Sequence, residues 1–256
     1  LDAGPIRRGV YEWGMKIGHT VNVGRLDGKP VGLLDRLLFP IANALVLRPL
    51  RDLLGLTRLR CASCGGATMA PYVFRMFQAM GIPLRNIYGS TETGLLTCHQ
   101  GDRFDLETVG HWMKAHPEAG PPLEWRLSAD GELQIRGGSP FLGYYRREGS
   151  VESKVKDGWF YTGDAVTKTE LGELVFLERL SDLKRLRSGE TFPPQFVETR
   201  LRFSPFIKDI MTVGDETRDF VAALINIDMA VLSRWAEDKR IGFSTFTDLS
   251  QRPEVA

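Results

Sequence analysis

The feature that most constrains the fold is a succession of strand, helix and strand in the first half of the chain. Apolar residues predict short strands at Leu59–Ser63 and Arg85–Tyr88, and Pro71–Met80 predicts a helix with proline in its first turn. Strands joined through a helix usually lie parallel in one sheet. We therefore predict an α/β fold with a parallel α/β layer that extends to about residue 110.

The pattern changes beyond Gly101, where short segments of alternating apolar and polar residues replace the helices. Turn residues such as Asp130-Gly131 separate these segments. The segments are Leu123–Leu127, Glu132–Ile135 and Gly172–Leu177. Such spacing is typical of antiparallel hairpins. It predicts a small antiparallel β-barrel-like subdomain over residues 111–177.

Residues 181–194 are charged and then contain Gly and Pro, which is typical of a junction between domains. A helix, two strands and a second helix are predicted after it, at Gln195–Arg202, Ile207–Val213, Val221–Ile227 and Met229–Lys239. We therefore predict that residues 1–177 belong to a large N-terminal domain and that residues 178–184 form a hinge. Residues 185–256 would form a partial α+β C-terminal domain.

Composition excludes several classes of protein. The 33 Lys and Arg residues balance 32 Asp and Glu residues, so the net charge of +1 gives no general attraction for nucleic acid, and we predict none as a partner. Three cysteines are an odd number and no secretory leader opens the chain, which favours a reducing cytoplasm. The spacing Cys61-x-x-Cys64 suggests a zinc or redox site, but no second pair supplies further ligands, so structural thiols are favoured.

The segment Leu33–Leu54 is rich in leucine but carries charges such as Arg36 and Arg48, so it cannot span a bilayer as an apolar run. We predict an amphipathic helix packed on the core and bent or ended near Pro40 and Pro49. A helix that lies on a membrane surface, with the two arginines at the headgroups, is the alternative.

The loop Tyr88-Gly89-Ser90-Thr91-Glu92-Thr93-Gly94 carries the strongest functional signal. Glycine allows the backbone to approach a ligand, the Thr91 hydroxyl can donate to a phosphate oxygen, and Glu92 offers the hard oxygen that Mg²⁺ prefers. The alternative is a polar turn before a helix, with Thr91 as its N-cap. Elsewhere, Gly28-Lys29-Pro30 lacks the other residues of a phosphate loop and is predicted to be a turn.

Three further motifs accompany this loop in order and approximate spacing. They are Cys64-Gly65-Gly66-Ala67, Tyr161-Thr162-Gly163-Asp164 and Arg179-Leu180-Ser181-Asp182. With them the chain resembles the adenylate-forming superfamily of acyl-CoA synthetases, luciferases and peptide-synthetase adenylation domains. Gly143-Tyr144-Tyr145 and the run Asp157–Asp164 look most like long-chain fatty acyl-CoA synthetases.

The resemblance implies an ATP and AMP site. Gly66 and Ala67 would lie along the adenine, and Tyr88, followed by Gly89, would stack on its ring. Thr91 would contact the α-phosphate, and Glu92 would bind Mg²⁺. The ribose would be held by the Asp164 carboxylate and by Arg179. A core tyrosine at position 88 and a turn aspartate at position 164 are the alternatives.

The resemblance also implies a second half-reaction with CoA. Ser181 falls where family members rotate their C-terminal domain, although the family usually has Asp or Lys there, and Glu178 replaces a common glycine. Gly189, in Ser188-Gly189-Glu190, would leave room for the CoA thiol arm. A turn that caps the helix near Gln195 is the alternative.

The activity implied is the ligation of a carboxylic acid, with a fatty acid favoured, first to AMP and then to CoA. The family's phosphate loop and a lysine near the end of its C-terminal domain have no match here, so we expect a fragment with little turnover on its own. A ligase that transfers its product to a carrier protein, a peptide-synthetase adenylation domain and a non-catalytic nucleotide-binding module are the alternatives. Peripheral membrane contact would follow if the helix at Leu33–Leu54 lay on a membrane surface.

Overall fold

The computed structural model describes residues 4–66, 69–114, 123–137, 141, 143–147 and 152–255. The chain divides into two compact units, Leu1–Leu177 and Glu178–Ala256. Both units combine helices with sheets, so the chain has the mixed α/β composition that the sequence predicts. The site residues expected from the sequence are divided between the two units.

The first unit opens with helices. They are α1 (Pro5–Gly18), α2 (Gly24–Leu26), α3 (Leu33–Ala42), α4 (Arg48–Leu53) and α5 (Pro71–Ala79). Wider helical turns at His19–Val23 and Asn43–Leu47 join α1 to α2 and α3 to α4. Helix α1 was not predicted, because it packs through glycines. A Cβ on Gly14 would lie 2.5 Å from the Val46 side chain, and one on Gly18 would lie 2.4 Å from the Ala79 carbonyl oxygen.

The leucine-rich segment is helical, as predicted, with Pro40 inside α3 and Pro49 in the first turn of α4. Its buried residues are Ala42, Val46 and Leu47. Most of the leucines point outward. The exposed ones are Leu33, Leu34, Leu37, Leu45, Leu53 and Leu54. Within the described part of the chain, no helix is long and apolar enough to cross a bilayer.

The first sheet contains the predicted parallel pair and extends it. Its strands lie in the order β1 (Ala62–Cys64), β2 (Leu84–Ser90), β3 (Gly94–Cys98) and β4 (His111–Trp112). β1 and β2 are parallel and are joined through α5, whereas β3 and β4 continue the sheet in antiparallel register. The fully buried Phe74 of α5 packs against Leu84 beneath this sheet. β1 begins three residues later than predicted, so Cys61 precedes it.

The second sheet of this unit is antiparallel where its register is defined, in agreement with the predicted hairpins. Its strands are β5 (Glu124–Leu127), β6 (Glu132–Arg136), β7 (Val155–Lys156), β8 (Trp159–Lys168) and β9 (Leu174–Arg179). They lie in the order β5-β6-β8-β7, and β9 also pairs with β8. Leu96 of β3 packs into one cluster with Leu133, Phe160 and Leu174, so one core joins the two sheets.

The second unit is a smaller α+β assembly. Its elements are β10 (Lys184–Arg185), β11 (Thr191–Phe192), α6 (Pro194–Arg202), β12 (Ile207–Val213), β13 (Ala222–Ile227), α7 (Met229–Asp238) and α8 (Phe246–Ser250). β10 pairs with β11, and β12 pairs with β13, both antiparallel. Glu198 joins α6 to β12 because its carboxylate accepts hydrogen bonds from the Thr212 amide and hydroxyl at 2.7 and 2.8 Å. Asp228 caps α7 by accepting from the Val231 amide.

Candidate functional site

The signature loop is a tight turn between two antiparallel strands. β2 ends at Ser90 and β3 begins at Gly94, which is paired with it, so three residues form the turn. The Thr93 hydroxyl oxygen accepts from the Ser90 amide at 3.1 Å and closes the turn. Gly89 has no space for a side chain, since a Cβ there would lie 2.1 Å from the Gly94 carbonyl oxygen. A strand follows the loop, so the alternative of Thr91 as a helix N-cap is wrong.

Glu92 is the half-buried acid of this turn, and Thr91 beside it is exposed. The phenol of Tyr144 donates a hydrogen bond to the Glu92 carboxylate. This bond is the main cause that lowers the pKa of Glu92, partly offset by burial, with smaller contributions from its own backbone amide, Ser90 and Lys154. The Glu92 carboxylate is therefore ionised at neutral pH.

A second contact joins the end of β2 to the other sheet. The Tyr88 phenol donates a hydrogen bond to Oδ2 of Asp164, which is only 3% exposed. One face of the Tyr88 ring stacks on Phe176, with the ring centroids 5.5 Å apart and the planes 28° apart. Tyr88, Glu92 and Asp164 therefore belong to one region of the first unit, in which two sheets meet.

Strand irregularities position both partners of the Tyr88–Asp164 contact. The β2–β3 register shifts between Tyr88 and Gly89, and the β6–β8 register shifts opposite residues 161–165. Gly163 has φ +75°, and its amide donates to the Glu132 carboxylate at 2.8 Å. Bulges of this kind redirect side chains and are frequent beside functional sites.

The glycines after β1 lie at the same edge of the first sheet as Tyr88. β1 and β2 are parallel, with Cys64 paired to Asn86, so both strands run toward this edge. Gly66 has φ +78°, which favours glycine, and a Cβ there would meet no atom within 4 Å. Gly65, in contrast, is packed against Ile87. Ala67, also predicted to lie along the adenine, is outside the described residues.

The remaining predicted residues belong to the second unit. Arg179 is the exposed last residue of β9, and Ser181 lies in a short helical turn where its hydroxyl donates to Asp182 at 2.9 Å. Gly189, with φ +89°, lies in the turn between β10 and β11, where its amide donates to the Leu186 carbonyl. This turn does not cap α6, so that alternative is wrong.

The described residues give little support to a zinc or redox site at Cys61 and Cys64. Cys61, Cys64 and Cys98 are free thiols, and no group of three His, Cys, Asp or Glu side chains in the described part of the chain could hold a metal ion. Burial raises the pKa of Cys64, which makes this thiol less reactive. Gly28 has φ +70° in the turn after α2, as predicted.

Sequence reasoning missed two aromatic contacts of the site. Tyr144 was noticed only as part of a family motif, although its hydroxyl meets a carboxylate 52 residues away in the sequence. Phe176, which stacks on Tyr88, had no role. Glu178, noted in the sequence only because it replaces a common glycine, is buried, accepts a hydrogen bond from the Gln195 amide at 3.4 Å and has its pKa raised by burial. Alternating patterns indicate which strands form, but they do not indicate which side chains meet across two sheets.

The chain is similar in sequence to known ligases and synthetases that act on long-chain acids. A long-chain-fatty-acid–CoA ligase of Mycobacterium tuberculosis is 32% identical over 226 residues, which cover 88% of this chain and 36% of the relative. The long chain acyl-CoA synthetase 1 of Arabidopsis thaliana is 29% identical over 234 residues, covering 84% of this chain and 34% of the relative. The chain thus spans about a third of the length of these relatives. No family model matches it.

Solved structures agree on the fold. The adenylation domain of a carboxylate reductase from Mycobacterium chelonae superposes with a TM-score of 0.59 at 22% identity, over 91% of this chain and 35% of that domain. The didomain of a carboxylic acid reductase from Segniliparus rugosus, determined in complex with AMP, superposes with a TM-score of 0.55 at 26% identity. That match covers 89% of this chain and 31% of the didomain.

Proposed function

We propose that this chain, which belongs to the adenylate-forming superfamily, carries the nucleotide site of an AMP-forming acid–thiol ligase. In the reaction, a carboxylate attacks the α-phosphorus of ATP and releases pyrophosphate, and CoA then takes the acyl group from the adenylate. The observation that carries the proposal is the Tyr88–Asp164 hydrogen bond. It brings a proposed base-stacking ring and a proposed ribose acceptor together at the turn that carries Thr91 and Glu92.

The nucleotide would be recognised by shape and by hydrogen bonds. One face of Tyr88 packs on Phe176, so the adenine would stack on the opposite face, a contact worth about 1–3 kcal/mol. Gly66 would let the base approach the backbone at the end of β1. Asp164 would accept hydrogen bonds from the ribose hydroxyls, since a carboxylate offers two acceptor oxygens.

The residues present fit a bound Mg²⁺ ion. Proteins usually hold this ion with one or two carboxylates, and the substrate phosphates and water complete its coordination. Glu92 is a single ionised carboxylate in an accessible turn, which suits this arrangement. When bound, Mg²⁺ supplies positive charge opposite the phosphate oxygens. The exposed Thr91 hydroxyl would donate to the α-phosphate and hold it in line for attack.

Three further assignments rest on the sequence motifs alone. We assign the second ribose contact to Arg179, the hinge between the two half-reactions to Ser181, and the path of the CoA thiol arm to Gly189. The names of the relatives favour a long-chain fatty acid as the substrate. Because the chain spans about a third of their length, we expect the 256 residues alone to bind nucleotide but to release little pyrophosphate.

Calorimetry with AMP and with a non-hydrolysable long-chain acyl-adenylate tests the proposal. Wild-type protein should bind AMP, and the acyl-adenylate should bind more tightly. Asp164→Asn should weaken AMP binding at least about tenfold, because a charge-assisted hydrogen bond contributes roughly 1.5–3 kcal/mol. Asp130→Asn, in the exposed turn between β5 and β6, is the matched control and should leave the affinity unchanged. Absence of AMP binding, or equal effects of the two substitutions, would refute the nucleotide site.

A further inference from the structure

The hydroxyl of Tyr144 contacts the carboxylate to which the proposed function assigns the metal. It donates a hydrogen bond to Oε1 of Glu92, across 52 residues of sequence. This bond is the first cause of the lowered pKa of Glu92. The contact therefore holds the carboxylate of Glu92 at one place in the turn.

Tyr144 is itself held by a series of aromatic rings that leads into the core. Its ring packs edge to face on Phe141, with centroids 5.0 Å apart, and Phe141 packs in the same way on Phe160 at 6.2 Å. Phe160 belongs to β8 and is buried in the core shared by the two sheets. The Arg147 amide also donates to the Tyr144 carbonyl at 3.1 Å, which closes the local turn. The position of the phenol is thus set by packing.

The next residue provides a natural contrast. Tyr145 has the same side chain but is 85% exposed, and its ring lies beneath the guanidinium of Arg146. Two adjacent tyrosines therefore differ in one respect that matters for the acid, which is the hydrogen bond to Glu92.

We propose that Tyr144 is a positioning residue for the metal-binding carboxylate, because its hydroxyl holds Glu92 in one orientation at the turn between β2 and β3. The inference rests on the proposed function, in which Glu92 binds Mg²⁺. Residues that orient a metal ligand through a hydrogen bond typically change metal affinity 10–100-fold when they are removed. Tyr144 would therefore act on the metal and leave the adenosine contacts of Tyr88 and Asp164 unchanged.

The test compares the affinity of the chain for a non-hydrolysable ATP analogue in Mg²⁺ and in EDTA. The ratio of the two affinities measures the contribution of the metal. Tyr144→Phe should lower this ratio about tenfold or more, while the affinity in EDTA stays within about twofold of wild type. Tyr145→Phe should leave both affinities unchanged. A merely structural role of Tyr144 would instead lower the affinity in EDTA as well.

Glu92→Gln separates the inference from the function on which it rests. If Glu92→Gln lowers the ratio but Tyr144→Phe retains the wild-type ratio, the positioning role is refuted and the proposed metal ligand stands. If Glu92→Gln also retains the wild-type ratio, the metal assignment fails, and the role of Tyr144 fails with it. If both variants lower the ratio and Tyr145→Phe does not, the inference is supported.

Discussion

The histidine in the core of the first unit should make the stability of the chain depend on pH. His99 is 2% exposed and stacks on Phe104, with the ring centroids 4.2 Å apart. Its Nδ1 accepts a hydrogen bond from the Asn86 amide at 3.0 Å, so the neutral ring carries its proton on Nε2 and donates to the Thr108 carbonyl at 3.0 Å. A proton on Nδ1 would face the Asn86 N–H, and no water could solvate the charge.

The magnitude follows from the shift in pKa. Burial is the largest cause that lowers the pKa of His99 from its ordinary 6.5 to about 4. The unfolded chain therefore binds a proton below about pH 6.5, whereas the folded chain does not until about pH 4. The stability from the neutral ring is fully present above 6.5 and decreases as pH falls. The linkage between proton binding and folding therefore lowers the free energy of unfolding by about 2 kcal/mol at about pH 5.

Urea unfolding of wild type, His99→Gln and His19→Gln at about pH 7.5 and about pH 5 measures this effect. Protonation of His99 should lower the free energy of unfolding of wild type by about 2 kcal/mol at the lower pH. His99→Gln should be less stable at both pH values, but the pH dependence due to the ring should disappear. The exposed His19 is the control, and its substitution should retain the wild-type pH dependence. If His99→Gln retains it as well, the buried neutral ring is not the cause and the reasoning fails.

Two further predictions concern the same unit. Gly110→Ala should lower the free energy of unfolding in urea by about 3 kcal/mol or more. Residue 110 has a φ of +85°, and the new Cβ would lie 2.1 Å from the Cys98 carbonyl. Gly9→Ala is the control, because a new Cβ at this position of α1 meets no atom within 4 Å, and it should raise the free energy of unfolding by about 0.5–1 kcal/mol. If both substitutions change the free energy of unfolding equally, the close packing around Gly110 is contradicted. Burial raises the pKa of Glu173, whose Oε2 accepts from the Asp105 amide at 3.0 Å, so its ionised form costs stability at neutral pH. Glu173→Gln should therefore unfold at higher urea than wild type at about pH 8, and the advantage should shrink as pH falls toward about 4.5, because the folded wild type, with its raised pKa, takes up a proton before the unfolded chain does. A constant difference between these two pH values would contradict the assignment.

Much of the local structure follows from pattern alone. The strand Ile207–Val213 occurs within its predicted bounds, and the helix predicted at Pro71–Met80 is one residue shorter. Helix α1 could not be predicted, because the glycines that let it approach Val46 and Ala79 carry no apolar signal. The outward face of the leucine-rich helices was missed for the opposite reason, since an apolar side chain need not be buried.

Some residues of the candidate site could be recognised from the sequence, whereas the contacts between them could not. Residue chemistry in one short loop was sufficient to select Thr91 and Glu92, because a hydroxyl, a carboxylate and glycines in sequence can be recognised without a fold. The two contacts that assemble the region, Tyr88 with Asp164 and Tyr144 with Glu92, were decided only by tertiary packing, of one sheet on the other for Asp164 and of aromatic rings for Tyr144. Their partners are 76 and 52 residues apart in the chain. Contacts at such separations depend on strand register, bulges and core packing, and these are properties of the whole unit.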